Sequence, residues 1–112
     1  MKLLCFLWLC SAAVLDAAES IPLWPGKPPQ FLENAPAEVQ EERGTIRNVT
    51  VPAITLFLPP ADKRTGMAII VCAGGGYGAL DWRTHVEYAA QVFNPKGVAI
   101  IGYNCPEWLV AD

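Results

Sequence analysis

The sequence predicts an α/β fold in which antiparallel entry strands are followed by one βαβ crossover. Three observations carry this. Met67-Ala68-Ile69-Ile70-Val71-Cys72 and Val98-Ala99-Ile100-Ile101-Gly102-Tyr103 are continuous apolar runs without alternation, the pattern of strands covered on both faces by helices. Between them Val86, Ala89, Ala90 and Phe93 recur at i, i+3, i+4 and i+7, a stripe wide enough to pack on a sheet. A glycine-rich turn, Cys72-Ala73-Gly74-Gly75-Gly76-Tyr77-Gly78, joins the first strand to that helix. The chain has 112 residues, enough for one small domain and not two. A net charge of −3 implies neither a nucleic-acid nor a membrane-surface partner.

The elements follow in order. Residues 1–20 read as an export signal: Met1-Lys2 is a short positive start and Leu3 to Leu15 is apolar apart from Ser11. Thirteen helical residues reach about 20 Å, short of a bilayer core of about 30 Å, so no stable membrane anchor is expected. Ala18-Glu19-Ser20 suits cleavage before Ile21, with cleavage after Ala17 or Ala18 in close competition. Export places the protein in the periplasm or outside the cell, where a disulfide persists. Residues 21–43 hold Pro22, Pro25, Pro28, Pro29 and Pro36, and read as an extended arm on the surface, anchored by Ile21, Leu23 and Trp24.

From Gly44 to Asp112 the pattern becomes that of the folded domain. Thr45–Val51 and Ala53–Leu58 have strand character, with Pro52 breaking the ladder between them, and are expected to form an antiparallel entry hairpin. Asp62-Lys63-Arg64-Thr65-Gly66 is turn chemistry. Asp81 or Thr84 would cap the following helix, and Asn94-Pro95-Lys96-Gly97 would end it.

The chemistry sits at the glycine turn. Open α/β sheets place ligands at the carboxyl ends of their strands, and consecutive glycines let the backbone approach a ligand closely. Adjacent N–H groups aimed at one point make an oxyanion hole, whose donors must stand ready when a carbonyl oxygen becomes an alkoxide. Gly74, Gly76 and Ala79 also fit the G-x-G-x-x-G/A dinucleotide pattern. That alternative, a nucleotide-binding βαβ unit, calls for a carboxylate near the end of the next strand, where Tyr103-Asn104 stand instead and Glu107 lies beyond Pro106. No Gly-Lys-Ser/Thr follows, which removes a Walker A loop.

The ordered set Ile21-Pro22-Leu23-Trp24-Pro25-Gly26-Lys27-Pro28-Pro29, Asn48-Val49-Thr50-Val51-Pro52, Leu58-Pro59-Pro60, Gly66 and Gly74-Gly75-Gly76-Tyr77-Gly78 resembles the start of secreted bacterial α/β-hydrolases. These are esterase/lipase-like enzymes often labelled acetyl-xylan esterase or xylanase-associated esterase. The resemblance implies the N-terminal, incomplete part of an α/β-hydrolase sheet. It implies Gly75 and Gly76 as oxyanion-hole donors, with Gly74 and Tyr77 shaping the turn, and a small-molecule or carbohydrate ester as substrate of the full-length form. Two departures stand out: Ala73 where relatives have Pro or His, and Asn104-Cys105-Pro106 where they have Tyr-Arg-Leu-like residues.

The family mechanism runs through Ser in G-x-S-x-G, then Asp or Glu, then His. Ser11 and Ser20 are the chain's only serines and no G-x-S-x-G occurs. His85 comes too early in the order to be the triad histidine, and reads as a surface or capping residue. This chain alone is therefore expected to be inactive, with the alternative of a small exported binding or structural protein without catalysis. Met67–Cys72 and Val98–Tyr103 would leave two unpaired apolar edges. In the hydrolase arrangement those strands are adjacent and parallel, which brings Cys72 and Cys105 to one edge and leaves a disulfide open to them. No Cys/His metal spacing exists and no cofactor is implied. Asn48-Val49-Thr50 is a glycosylation sequon read as an ordinary strand segment, and the adjacent Glu41-Glu42 do not suit a glycosidase pair.

Overall fold

The computed structural model describes residues 18–29, 31–76 and 78–105. Most of the expected export signal, residues 1–17, lies outside the described residues, as does Tyr77. Two sheets form. The main sheet has the order β1-β4-β7-β5, with β1 at Glu19–Pro22, β4 at Ala53–Phe57, β5 at Ala68–Cys72 and β7 at Ala99–Asn104. A small sheet has the order β2-β3-β6, with β2 at Val39–Gln40, β3 at Thr45–Arg47 and β6 at Leu80–Asp81.

The βαβ unit stands as the sequence implies. β5 and β7 are adjacent and parallel, with Ile70 opposite Ile101 and Cys72 opposite Tyr103. The connecting helix opens with a π-helical turn at Arg83–Glu87, runs through α1 (Tyr88–Phe93) and closes in a 3-10 turn at Asn94–Lys96. Of the apolar stripe, Val86 and Ala90 are buried, and Ala89 and Phe93 pack beside them. Gly97 ends the helix in the left-handed region at φ 82°, its N–H donating to the Asn94 carbonyl at 2.9 Å. A Cβ at Gly97 would collide with the Lys63 carbonyl, so glycine is required there on two counts. Neither expected cap residue caps. Thr84 lies inside the first turn, and its hydroxyl donates to the Asp81 carboxylate at 2.6 Å rather than the carboxylate accepting from a helix N–H.

The entry strands are antiparallel, but they are not a hairpin. β4 pairs with β1 on one side and β7 on the other, both antiparallel, whereas β3 pairs with β2 and β6 in the small sheet. The reason lies between them. Asn48 takes a left-handed φ of 58°, Val49 and Pro52 are fully buried, and the chain turns away before a second ladder forms. β3 is accordingly shorter than the expected Thr45–Val51. The segment expected as a surface arm contributes β2 and the second half of β1, whose first half, Glu19 and Ser20, falls in the expected export signal. β1 joins the main sheet, and β2 forms a tight hairpin with β3 closed by Glu41 N–H to the Thr45 carbonyl at 2.8 Å, with Gly44 at φ 81°. Ile21, Leu23 and Trp24 are exposed rather than buried anchors.

The core joins both sheets: Ile46 from β3, Val49, Ala73, Leu80 from β6, Trp82, Val86 and Ala90 from the helix, and Ile100 from β7. Register partners share a face. The rows Ser20-Thr55-Gly102-Val71 and Phe57-Ile100-Ile69 face the helix, and a Cβ at Gly102 would come within 2.5 Å of Val86 Cγ1 and 2.7 Å of Trp82 Cη2. The rows Ile21-Ile54-Tyr103-Cys72 and Glu19-Leu56-Ile101-Ile70 lie on the opposite face, which no described element covers. Ile70 is 67% exposed there. β5 is thus covered on one face only, against the expectation of two. Of the two expected open edges one remains, because β7 is paired on both sides whereas β5 is an edge strand; the opposite edge of the sheet is β1.

Candidate functional site

The glycine turn leaves the carboxyl end of β5, the third strand of the main sheet in chain order. Its neck is closed by two hydrogen bonds. Asp81 N–H donates to the Gly74 carbonyl at 2.8 Å, and Gly74 N–H donates to His85 Nδ1 at 3.1 Å. His85 is exposed, as expected of a surface residue, and it is not a cap: its ring, set by the first turn of the helix, accepts from the turn. Nothing local in the sequence marks this contact; the bend of residues 74–81 brings His85 back to Gly74.

Between the two ends the backbone needs its glycines. A Cβ at Gly75 would collide with the Ala79 carbonyl, so a side chain there forces the loop open. Gly76 has φ 64° in open space, where any L side chain is strained. The N–H groups of Gly75 and Gly76 meet no acceptor among the described residues, whereas that of Gly74 is taken by His85. The sequence-named donors are thus among the amides of the turn with no acceptor among the described residues, and both residues are exposed. The fourth named residue, Tyr77, lies outside the described residues.

The outer limb of the turn is stitched to the small sheet, a feature the sequence reading missed. Ile46 stands opposite Leu80 and Thr45 opposite Asp81. Arg83 N–H donates to the Gly44 carbonyl at 3.1 Å, and Arg47 Nη1 donates to the Gly78 carbonyl at 2.7 Å. The other side of the Arg47 guanidinium donates from Nε to Glu41 Oε1, also at 2.7 Å. Glu41 is therefore an ion-pair partner rather than half of a carboxylate pair. The only signal for this in the sequence is Arg47 itself, a charge at the end of a short strand.

Cys72 and Cys105 are both free thiols, and the expected option of a bridge is not taken up. Tyr103 stands opposite Cys72 in the ladder. Burial, then the neighbouring Cys105 and Cys72 thiols, push its phenol above the ordinary value of 10. Asn48 of the sequon donates from Nδ2 to the Ala37 carbonyl at 3.2 Å, a tie between the loop after β3 and the segment before β2. In the dinucleotide pattern the helix opens on the glycines; here β6 intervenes and the helix begins after Trp82. The strand after the helix ends in Asn104, which is buried and accepts from the Ala53 N–H. Among the described residues no group of three or more His, Cys, Asp and Glu side chains could hold a metal ion, and no helix is long and apolar enough to cross a membrane.

Chemically the turn presents exposed backbone N–H groups at the carboxyl end of β5, with the exposed Cys72 thiol leading into it. Comparison with protein-family models, curated proteins and solved structures gives no match.

Proposed function

We propose that this chain is the N-terminal part of an exported α/β-hydrolase that cleaves carboxylic esters, and that Gly75 and Gly76 donate the N–H groups of its oxyanion hole. One observation carries the reading. The glycine turn follows the third strand of the main sheet and precedes the first helix, and those two amides meet no acceptor among the described residues. In α/β-hydrolases one oxyanion donor comes from the loop between the third strand and the first helix. The uncovered apolar sheet face and the free flank of β5 support the same reading, since the parallel β5–β7 pair belongs to a sheet type that carries layers on both faces. In the reaction the serine attacks the ester carbonyl, the histidine carries its proton, and the acid orients the histidine. The turn's share is to hold the alkoxide oxygen as it forms, worth about 3–4 kcal/mol of barrier per donor. Carbohydrate esters are the substrate class the resemblance favours.

The test is the reading frame downstream of codon 112. A continuing frame with G-x-S-x-G, then Asp or Glu, then His is expected, and its product should hydrolyse a chromogenic acetyl ester. In that product Gly75→Ala should cut kcat by about a hundredfold or more. A frame that closes without a serine elbow would sink the esterase reading and favour a small exported binding or structural protein. Turnover by the 112-residue chain alone would overturn its proposed incompleteness. Maturation gives a separate check. Because β1 starts at Glu19, and Glu19 and Ser20 pair with Leu56 and Thr55, exported material should begin at Ala18 or Glu19. N-terminal sequencing that finds Ile21 would mean that half of β1 is discarded.

A further inference from the structure

We infer that Arg47 is a positioning residue for the glycine turn, acting through the Gly78 carbonyl and held in place by Glu41. Its catalytic meaning rests on the oxyanion reading above, but its geometry does not. Three glycines in the tip, Gly75, Gly76 and Gly78, leave a backbone with little intrinsic reason to hold one shape, because glycine loses the most freedom on ordering. Nothing lies within reach of a Cβ at Gly76 or Gly78, so no neighbour packs against the backbone at these two positions. The restraints the structure shows at the two ends of the tip are polar ties from outside.

On the strand side that tie is Gly74 N–H to His85 Nδ1. On the far side the last tie before the tip is Arg47 Nη1 to the Gly78 carbonyl, at 2.7 Å. It completes a run in which residues 44, 45, 46 and 47 meet residues 83, 81, 80 and 78 in turn. The three ties at 44, 45 and 46 are made by backbone and tolerate many side chains. The one at 47 belongs to a guanidinium alone. A planar fork reaches a carbonyl from one edge while a carboxylate holds another, which an ammonium cannot reproduce with fixed direction. Glu41 supplies that carboxylate from the turn of the β2–β3 hairpin, so the small sheet carries both members of the clamp.

The experiment uses the 112-residue chain labelled with 15N, and reads backbone order parameters at Gly75, Gly76 and Gly78 against Ile100, Ile101 and Gly102 in β7. The tip should sit near the rigid value of about 0.85 in the parent chain and fall below about 0.6 in Arg47→Ala, with β7 unchanged. Arg47→Lys should recover part of the loss, and Glu41→Gln should give a smaller loss than Arg47→Ala. An unchanged tip in Arg47→Ala would overturn the inference. So would an equal loss in β7, which would make Arg47 a residue of general stability. No turnover is measured, so an inactive downstream product would sink the esterase reading and leave this one standing.

Discussion

The two faces of the main sheet are built from the same kinds of residue and have opposite fates. On the helix side Ile100 is fully buried, with Val86, Trp82 and Phe57 around it. One residue along the same strand, Ile101 faces the other way and is only half-buried, in a row with Leu56 and Ile70. Isoleucine is spent on both sides of a strand that only one helix covers. An antiparallel sheet with one wet face alternates apolar and polar residues, and this one does not. The composition of the open face is that of an interior, which is the physical basis for reading the chain as part of a larger layered domain.

That contrast breaks most sharply in paired substitutions. Ile100→Ala should cost about 2–5 kcal/mol of unfolding free energy, since it empties a site with no route for solvent. Ile70→Thr on the open face should stay within about 0.5 kcal/mol and raise solubility, because Ile70 already meets water. Urea midpoints of the two variants check this. Equal losses would mean that the open face is covered in solution by another molecule.

Gly102→Ala comes next in size. The added methyl enters the helix interface against Val86 and Trp82, so overpacking of about 1–3 kcal/mol is expected. Gly78→Ala, at a glycine with open space around it, should leave the midpoint nearly unchanged. If both are silent, the helix is not seated on β7 as described.

The sequence made legible what is local. The helical stripe from Val86 to Phe93, the stop at Gly97 and the two apolar runs are each written in adjacent residues, and each has its place in the structure. Which strands pair is not local. The β3–β4 hairpin fails because Asn48 turns left-handed and Val49 and Pro52 are buried between the two strands, so each strand finds its partner far along the chain. β7 pairs on both sides because β4 arrives from an entry segment some fifty residues earlier. At the site, Gly75 and Gly76 were readable because only glycine suits those backbone positions. His85 and Arg47 were not, since their partners are carbonyls and amides that every residue carries.

The smallest expected effect lies where the covered face is least well filled. A cavity of about 260 Å³ opens between the layers, lined by Ser20, Glu38, Thr55, Phe57, Trp82 and Glu87 among others. Burial there pushes the Glu38 carboxyl above its ordinary value of 4.5, because leaving water penalises the charged form. The folded chain therefore holds the Glu38 proton more tightly than the unfolded chain does. Its contribution to stability is fully present below the ordinary value and is lost as pH rises through the folded value. Above that window the partly desolvated charge of this largely exposed side chain weakly opposes folding, so Glu38→Gln should raise the urea midpoint slightly at about pH 7, and the gain should vanish towards about pH 3. A lower midpoint for the variant at neutral pH would show that the carboxylate has a partner in the cavity. The helix side of the sheet would then be more completely closed than its packing suggests, and the contrast between the two faces sharper.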